Sequence, residues 1–356
     1  MTTTPPPSAD SQRAENSIAL KEVEGLSQGQ IVRARFIRHK GALAGVAVLA
    51  FIIFIAFSSV GFGPIPGWWK LTGDEVGVAL TNAKGAPTLS FFGDGGLAWG
   101  AHPFGQDEIG RDLFALVMRG TQTSIMVVFV IGLTAALVGV AVGSAAGFYR
   151  GRVDTLLMRA TDLVITIPVL VIGAVLGALS VGAPEAIRAE MFAVSMGLIL
   201  WTGLARLVRG EFLSLREREF VDAARVAGAS DLRIIFKHIL PNAIGVVIVA
   251  TSLLMSSAIL LETALSYLGF GILPPDVSLG RLISNYQSSF ATRPWLFWWP
   301  GSLIVLIALS INFIGDGLRD AFDPRQKRIP SERKMMRSLQ EQAAKAGPIT
   351  YRPSAD

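Results

Sequence analysis

The sequence predicts an all-α membrane protein that crosses the bilayer six times. Three observations predict it: six long apolar runs, a small share of charged residues, and an uneven distribution of basic residues between the connecting segments. Of the 356 residues, 51% are hydrophobic and 17% are charged, whereas a soluble domain carries nearer a quarter charged residues. Each run is about as long as the roughly 20 residues that cross a ~30 Å hydrocarbon core. The runs are 41–60, 123–147, 163–183, 191–205, 241–261 and 296–315.

Lysine and arginine residues are concentrated in alternate segments along the chain. The N-terminal tail, the second and fourth connections and the C-terminal tail together hold 25 of the 32. Basic connecting segments are retained in the cytoplasm, so both termini are predicted to lie there. The net charge of +5 therefore reflects membrane orientation, and no nucleic-acid partner is expected.

The chain lacks residues and motifs that several classes of enzyme and metal site need. It has no cysteine, which excludes disulfides, thiol catalysis and thiolate-held metals. Its three histidines, His39, His102 and His238, are far apart in sequence. No G-x-x-x-x-G-K-[ST] phosphate loop is present. We therefore predict no catalytic residue, no metal site and no cofactor bound by this chain.

Composition divides the chain into three parts. Residues 1–35 are polar, and they end in an alternation of apolar and basic residues, which predicts a disordered cytoplasmic tail with an amphipathic end. Residues 36–320 form the predicted transmembrane domain, and 321–356 form a cytoplasmic C-terminal tail. Within the transmembrane domain, a long outer segment at 61–121 predicts a turn-rich folded loop, followed by a helix over 106–120 that has Asp107 as its N-cap.

Glycine and proline residues predict the geometry of two spans. In the second span, Gly139, Gly143 and Gly147 recur at four-residue spacing, which permits a close approach of two helices in lipid. Packing within the chain is favoured over a dimer face. Pro168 predicts a kink in the third span.

The connection at 206–240 is too long to be a simple turn. It has 35 residues and many charges, whereas a connection between two spans needs only a few residues. Helix-forming residues run from Glu217 to Val226, Gly228 interrupts the pattern, and Ser230 is placed to cap a second helix. The prediction is a helix–turn–helix on the cytoplasmic side, with small residues at its corner that let a partner approach the backbone.

This connection resembles the coupling loop of the integral-membrane subunits of ABC importers, which has the pattern E-A-A-x-x-x-G followed by L-P. Asp222 stands where the family usually has glutamate. The resemblance implies that the loop sits in a cleft of an ATP-hydrolysing subunit and carries that subunit's closure into the membrane. The implied coupling residues are Glu219, Asp222, Ala223, Ala224, Gly228, Ala229, Leu240 and Pro241.

A second segment, 102–114, resembles the H-x-x-G-T-D-x-x-G-R-D signature of one of the two permease subunits of peptide importers, a family with nickel-transporting relatives. Gln106 stands where threonine is usual. Two further matches, at 261–271 and 315–325, extend the resemblance over 36–325. The implied signature residues at the outer face are Gly105, Asp107, Gly110, Arg111 and Asp112.

The resemblance implies a type I ABC importer permease that works by alternating access in the cytoplasmic membrane of a prokaryote. The implied partners are a second, homologous permease subunit, two ABC ATPase subunits that bind ATP and Mg²⁺, and an extracytoplasmic solute-binding protein. The implied cargo is an oligopeptide or dipeptide. Nickel chelates and oligosaccharides are alternative cargoes.

Glu262 lies near the outer end of the fifth span. An ionisable group at membrane depth is a functional candidate, so Glu262 could line the translocation path. A structural hydrogen bond to a neighbouring helix is the favoured alternative. For the whole chain, an ion-coupled secondary transporter is a less favoured alternative, because the sequence lacks the internal repeat that such carriers usually have.

Overall fold

The computed structural model describes residues 28–73, 79–82, 84–93 and 96–323. The parts of the predicted tails at 1–27 and 324–356 therefore lie outside the described residues. Two short antiparallel strands, β1 (Ser90–Gly93) and β2 (Gly96–Ala98), lie in the outer segment. The helices are α1 (Gln28–Phe36), α2 (Lys40–Ser59), α3 (Leu113–Tyr149), α4 (Gly151–Thr166), α5 (Val169–Ser180), α6 (Arg188–Leu215), α7 (Glu219–Val226), α8 (Asp231–Tyr267), α9 (Leu279–Tyr286) and α10 (Trp295–Phe322), with 3-10 turns at Glu185–Ile187 and Gln287–Ser289.

Five helices are long and apolar enough to cross a membrane: α2, α3, α6, α8 and α10. The pair α4 and α5 makes a sixth span when taken together, although the two helices meet at 85°. The break lies at Ile167 and Pro168. Proline lacks the backbone N–H and disfavours helical geometry in the residue before it, so the predicted kink is confirmed. The all-α class with six spans is confirmed with it.

Helix α3 is longer than predicted. It has 37 residues, which at 1.5 Å per residue makes it roughly 55 Å long, whereas a hydrocarbon core is only ~30 Å thick. The separate helix predicted over 106–120 is wrong, because helical structure begins at Leu113 and continues directly into the second span. The N-cap is Asp112 and not Asp107, since the Asp112 carboxylate accepts a hydrogen bond from the Ala115 amide.

The glycines of α3 face α6. A Cβ on Gly143 would lie 2.5 Å from the Ala205 carbonyl oxygen, and one on Gly147 would lie 2.6 Å from the Phe212 Cβ. Only glycine permits so close an approach of the two helices. The prediction that these glycines pack within the chain is confirmed.

Both helices that flank the predicted coupling loop extend into it. Helix α6 continues past the predicted end of the fourth span to Leu215. Helix α8 starts at Asp231 and reaches the fifth span without a break, through a π-helical turn at Ile234–Ile239. The wider π turn ends two residues before Pro241, where the chain has no N–H to donate. The loop is therefore attached at both ends to continuous helix.

Candidate functional site

The elbow, which we define as residues 216–240, contains α7, a tight turn and the start of α8. Helix α7 ends in a Schellman motif, in which the Ala229 amide donates to the Ala224 carbonyl at 3.0 Å and the Gly228 amide donates to the Arg225 carbonyl at 2.9 Å. Gly228 has φ +78°, a conformation that costs other residues roughly 1–2 kcal/mol. The predicted helix break at Gly228 is confirmed.

One face of α7 packs inside the protein. Val221 is fully buried and Ala224 is 9% exposed, and both belong to a cluster with Ile234 and Ile235 of α8 and Phe212 of α6. Ala224 therefore supports the elbow from within.

The opposite face of the elbow is exposed. Val226 is 90% exposed, and the small residues Ala223, Ala227 and Gly228 are exposed around it. A partner can therefore contact the backbone of this turn directly. Of the coupling residues implied by the resemblance, Ala229 and Leu240 are half-buried, Ala224 is buried, and the exposed ones are Glu219, Asp222, Ala223, Gly228 and Pro241.

Ion pairs join α6 to α4 close to the elbow. The Arg209 guanidinium binds the Asp154 carboxylate through two bonds, Nε to Oδ1 at 2.5 Å and Nη2 to Oδ2 at 2.7 Å. Arg206 contacts Asp162 at 2.5 Å. The bidentate, partly buried pair is the stronger of the two, because exposed single contacts contribute little. Helix α4 is thereby held to the helix that enters the elbow.

Arg216 attaches the elbow to the end of α3. Its guanidinium donates to the Phe148 carbonyl oxygen and lies over the Phe148 ring, 5.5 Å from the ring centroid. Arg150, just after α3, pairs with Glu217 at 2.6 Å. Burial, and then the charge of Arg150, lowers the pKa of Arg216. The elbow is thus fastened to α3 as well as to α6 and α8.

The outer signature, residues 102–114, forms the turn that leads into α3. Asp112 is 3% exposed, and its carboxylate contacts three groups. They are the Trp69 indole N–H at 2.8 Å, the Ala115 amide at 2.9 Å and His102 Nδ1 at 2.8 Å. Asp112 therefore joins the outer segment to the first turn of α3.

Asp107 occupies a second buried position in the signature. Its carboxylate accepts the Arg111 amide at 2.8 Å, the Arg111 guanidinium at 2.7 Å and the Tyr286 hydroxyl at 3.1 Å. Burial, and then the charge of Asp107, raises the pKa of Tyr286, so the phenol stays protonated and donates. Asp107 therefore links the signature to α9.

Gly105 and Gly110 are required by the turns of the signature. Their φ angles are +89° and +84°, and a Cβ on Gly105 would lie 2.6 Å from the Gly85 carbonyl oxygen. Gln106 is fully buried, and its amide oxygen accepts the Thr81 amide and hydroxyl at 2.8 and 3.0 Å. The signature is thus mostly a buried scaffold that holds the outer segment in place.

Glu262 is 1% exposed and lies in a hydrogen-bonded network of serines. Its carboxylate accepts the Ser124 hydroxyl at 3.2 Å and the Ser266 hydroxyl at 2.7 Å. The two serine oxygens in turn accept the amides of Leu279 and Ile272 at 3.2 and 3.0 Å. The network joins α3, α8 and the start of α9, and it encloses the Glu262 carboxylate within the part of the chain that the structure describes.

Sequence reasoning missed the residues that contact Asp107 and Glu262. Tyr286 lies 179 residues from Asp107, and Ser124 lies 138 residues from Glu262, so no local pattern connects them. Asp154 did carry a signal, because a carboxylate among the arginines of a short connection between two spans indicates an ion pair. Across the part of the chain that the structure describes, no group of three or more histidine or acidic residues could hold a metal ion.

Two family models match the chain. The model described as "Binding-protein-dependent transport system inner membrane component" matches residues 139–328, which is more than half of the chain. The model described as "N-terminal TM domain of oligopeptide transport permease C" matches residues 27–65.

Curated relatives extend the similarity over most of the chain. The oligopeptide transport system permease protein OppC of Mycobacterium tuberculosis is 34% identical over 307 residues, which cover 86% of this chain and 98% of the relative. OppC of Haemophilus influenzae is 34% identical over 316 residues, covering 89% and 94%. A peptide transport system permease protein of Brucella abortus is 35% identical over 305 residues, covering 85% and 94%. The chain belongs to the family of binding-protein-dependent transport system inner membrane components.

Proposed function

We propose that this chain is the transmembrane permease subunit of an ATP-driven ABC importer that takes up oligopeptides or dipeptides. The elbow carries the proposal, because it is exposed on one face and fastened to the spanning helices on the other. Family membership supports the importer class. The curated relatives are oligopeptide and peptide permeases, and this supports the cargo.

The proposed complex has four further subunits. They are a second, homologous permease, two ABC ATPase subunits that bind ATP and Mg²⁺, and an extracytoplasmic solute-binding protein. In this proposal the chain itself is not catalytic, both of its termini are cytoplasmic, and the transmembrane domain covers 36–320. The concentration of 25 of the 32 basic residues in alternate segments supports this orientation.

The proposed mechanism is a lever. Closure of the ATPase subunits moves the elbow, and the two tight contacts Arg216–Phe148 and Arg209–Asp154 make α3, α4 and α6 move with it. ATP drives the change because it binds the two states of the ATPase pair with different affinity. The buried outer signature keeps the outer segment in position for the solute-binding protein, and the Glu262 network holds α3, α8 and α9 together.

The substitution Ala223→Arg tests the elbow. Arginine costs an exposed helical site only about 0.2 kcal/mol relative to alanine, so the chain is expected to fold and insert. The long side chain blocks close approach of an ATPase subunit. In proteoliposomes with all subunits, we expect loss of both peptide uptake and the ATPase stimulation caused by peptide-loaded binding protein.

The control is Ser214→Arg, at an exposed site on α6 outside the corner. We expect this variant to keep both activities. Full coupling in Ala223→Arg would show that the elbow is not the docking site. Peptide uptake by the purified chain without ATPase subunits would contradict the importer class itself.

A further inference from the structure

A cleft of about 570 Å³ opens at the outer ends of α2 and α3. The turn after α2 contributes Phe62 and Ile65 to its wall, and α3 contributes Arg119, Thr123 and Met126. The cleft therefore combines one cationic side chain with apolar ones. Neither the coupling elbow nor the outer signature accounts for it.

The depth of the cleft follows from its neighbours. Helix α2 has 20 residues, which at 1.5 Å per residue is about the thickness of a hydrocarbon core. The Gln122 side-chain amide donates to the carbonyls of Ala56 and Gly61, both at 2.8 Å, so Gln122 lies level with the end of α2. Arg119 is one helical turn further from the membrane centre. This is the depth of the phospholipid headgroups.

The Arg119 guanidinium is available for a ligand. It is exposed, and it makes no ion pair or hydrogen bond with any residue that the structure describes. The acid that shares the cleft is Asp276. Burial, and then the charge of Glu190, raises the pKa of Asp276, and the neighbouring guanidinium groups of Arg188 and Arg281 oppose this effect. An adjoining smaller cleft adds Arg281 and Arg111, of which Arg111 is already paired with Asp107. Among the residues that line the two clefts, Arg119 and Arg281 therefore outnumber the single unpaired acid, Asp276.

Apolar side chains surround the cleft where acyl chains would lie. Phe62 is 50% exposed and Ile65 is 68% exposed at its rim. Toward the membrane centre, the same face of α3 exposes a stripe of Phe129, Leu133 and Leu137, which are 58%, 50% and 65% exposed. A cation at headgroup depth above an apolar stripe matches the division of a phospholipid into head and tails.

We propose that this cleft binds an anionic phospholipid of the outer leaflet, with its phosphate on the Arg119 guanidinium and its acyl chains along the exposed stripe of α3. A single occupant accounts for the free cation, the exposed apolar rim and the depth together. A side chain of a soluble partner protein would account for the cation but would leave the apolar stripe below it unexplained. The second permease would cover the stripe, and in that case the purified complex would show no lipid preference that depends on Arg119. The proposal depends on the membrane location and not on the cargo.

Native mass spectrometry of the full-length chain, purified in detergent with the subunits that accompany it, tests the proposal. The probes are dioleoylphosphatidylglycerol and dioleoylphosphatidylcholine, titrated separately. We expect the first phosphatidylglycerol molecule to bind about tenfold more tightly than the first phosphatidylcholine molecule, because charge-assisted hydrogen bonds are stronger than neutral ones. Arg119→Ala should remove this preference, and Arg119→Lys should keep most of it because it preserves the charge.

The matched control is Lys70→Ala, which removes one exposed positive charge from the same outer segment without touching the cleft. It should bind both lipids as the wild type does. The proposal is overturned if Arg119→Ala keeps the anionic preference, or if Lys70→Ala loses it equally. It is also overturned if glycerol 3-phosphate competes as well as the lipid, because the site would then bind a soluble phosphate ester. Failure here leaves the importer proposal untouched, since that proposal is tested at the elbow.

Discussion

Replacing Asp112 should destabilise the outer half of the protein more than replacing any exposed acid of the signature. In Asp112→Ala, α3 loses its N-cap, which costs about 1 kcal/mol. The His102 ring and the Trp69 indole each lose a buried acceptor at 2.8 Å, which costs about 1–3 kcal/mol per group. Water entering the space left by the carboxylate recovers part of this, so we expect a total loss of about 3–5 kcal/mol.

Asp112→Asn separates the charge from the hydrogen bonds. The asparagine oxygen can still accept from Trp69 and Ala115, and its NH₂ group can donate to Nδ1 of His102 if that ring changes tautomer. We therefore expect a loss of only about 1–2 kcal/mol, the difference between a charge-assisted and a neutral hydrogen bond. The control is Glu108→Ala, at an exposed acid with one side-chain bond, to Ser289 at 2.8 Å, which should lose less than about 1 kcal/mol.

The measurement is the free energy of unfolding of the purified chain in detergent, followed by tryptophan fluorescence. The expected order of destabilisation is Asp112→Ala, then Asp112→Asn, then Glu108→Ala. Equal stability of Asp112→Ala and Glu108→Ala would refute the reasoning, because it would mean that the buried contacts of Asp112 contribute nothing. An Asp112→Asn variant as unstable as Asp112→Ala would show instead that the negative charge is the essential property.

Two further predictions concern the helix packing and the orientation. Gly143→Ala should lower the free energy of unfolding by about 1–3 kcal/mol through overpacking against the Ala205 carbonyl. The control is Gly210→Ala, whose Cβ would meet nothing within 4 Å and which should raise the free energy of unfolding by about 1 kcal/mol. Similar unfolding free energies for the two variants would contradict the close α3–α6 contact. Because the chain has no cysteine, Val226→Cys and Ile109→Cys each provide a single label site. In cells without the ATPase subunits, a membrane-impermeant maleimide should label Ile109→Cys in intact cells and Val226→Cys only after permeabilisation. Labelling of Val226→Cys in intact cells would place the elbow outside and end the proposal.

The sequence alone predicted the features that depend on local chemistry. Apolar runs predict spans because lipid cannot hydrogen-bond the backbone. Pro168 predicts a break and Gly228 predicts a helix end for reasons that lie within one or two residues of each. The length, charges and helix pattern of the connection predicted the elbow, whose α7 begins two residues later than predicted, and the resemblance to the importer family implied its coupling role.

The errors arose where distant contacts decide between local alternatives. Asp107 and Asp112 are both good N-cap residues, and the sequence favoured the wrong one. In the structure, the Asp107 carboxylate accepts hydrogen bonds from Tyr286 and from its neighbour Arg111, whereas the Asp112 carboxylate accepts one from Trp69. The choice of cap therefore depends on residues far along the chain.

The two candidate sites lie at opposite ends of one long helix. Helix α3 starts at the Asp112 cap of the outer signature, and Phe148 near its other end receives the Arg216 contact from the elbow. Its glycines leave no gap against α6, which itself enters the elbow. Two helices packed backbone to backbone move as a unit, because close-packed interiors resist local deformation. We therefore expect a motion of the elbow to reach the outer signature largely as a rigid displacement. Bending is expected at breaks such as the one at Pro168, where the Asp154–Arg209 pair holds α4 to α6 while α5 turns away by 85°.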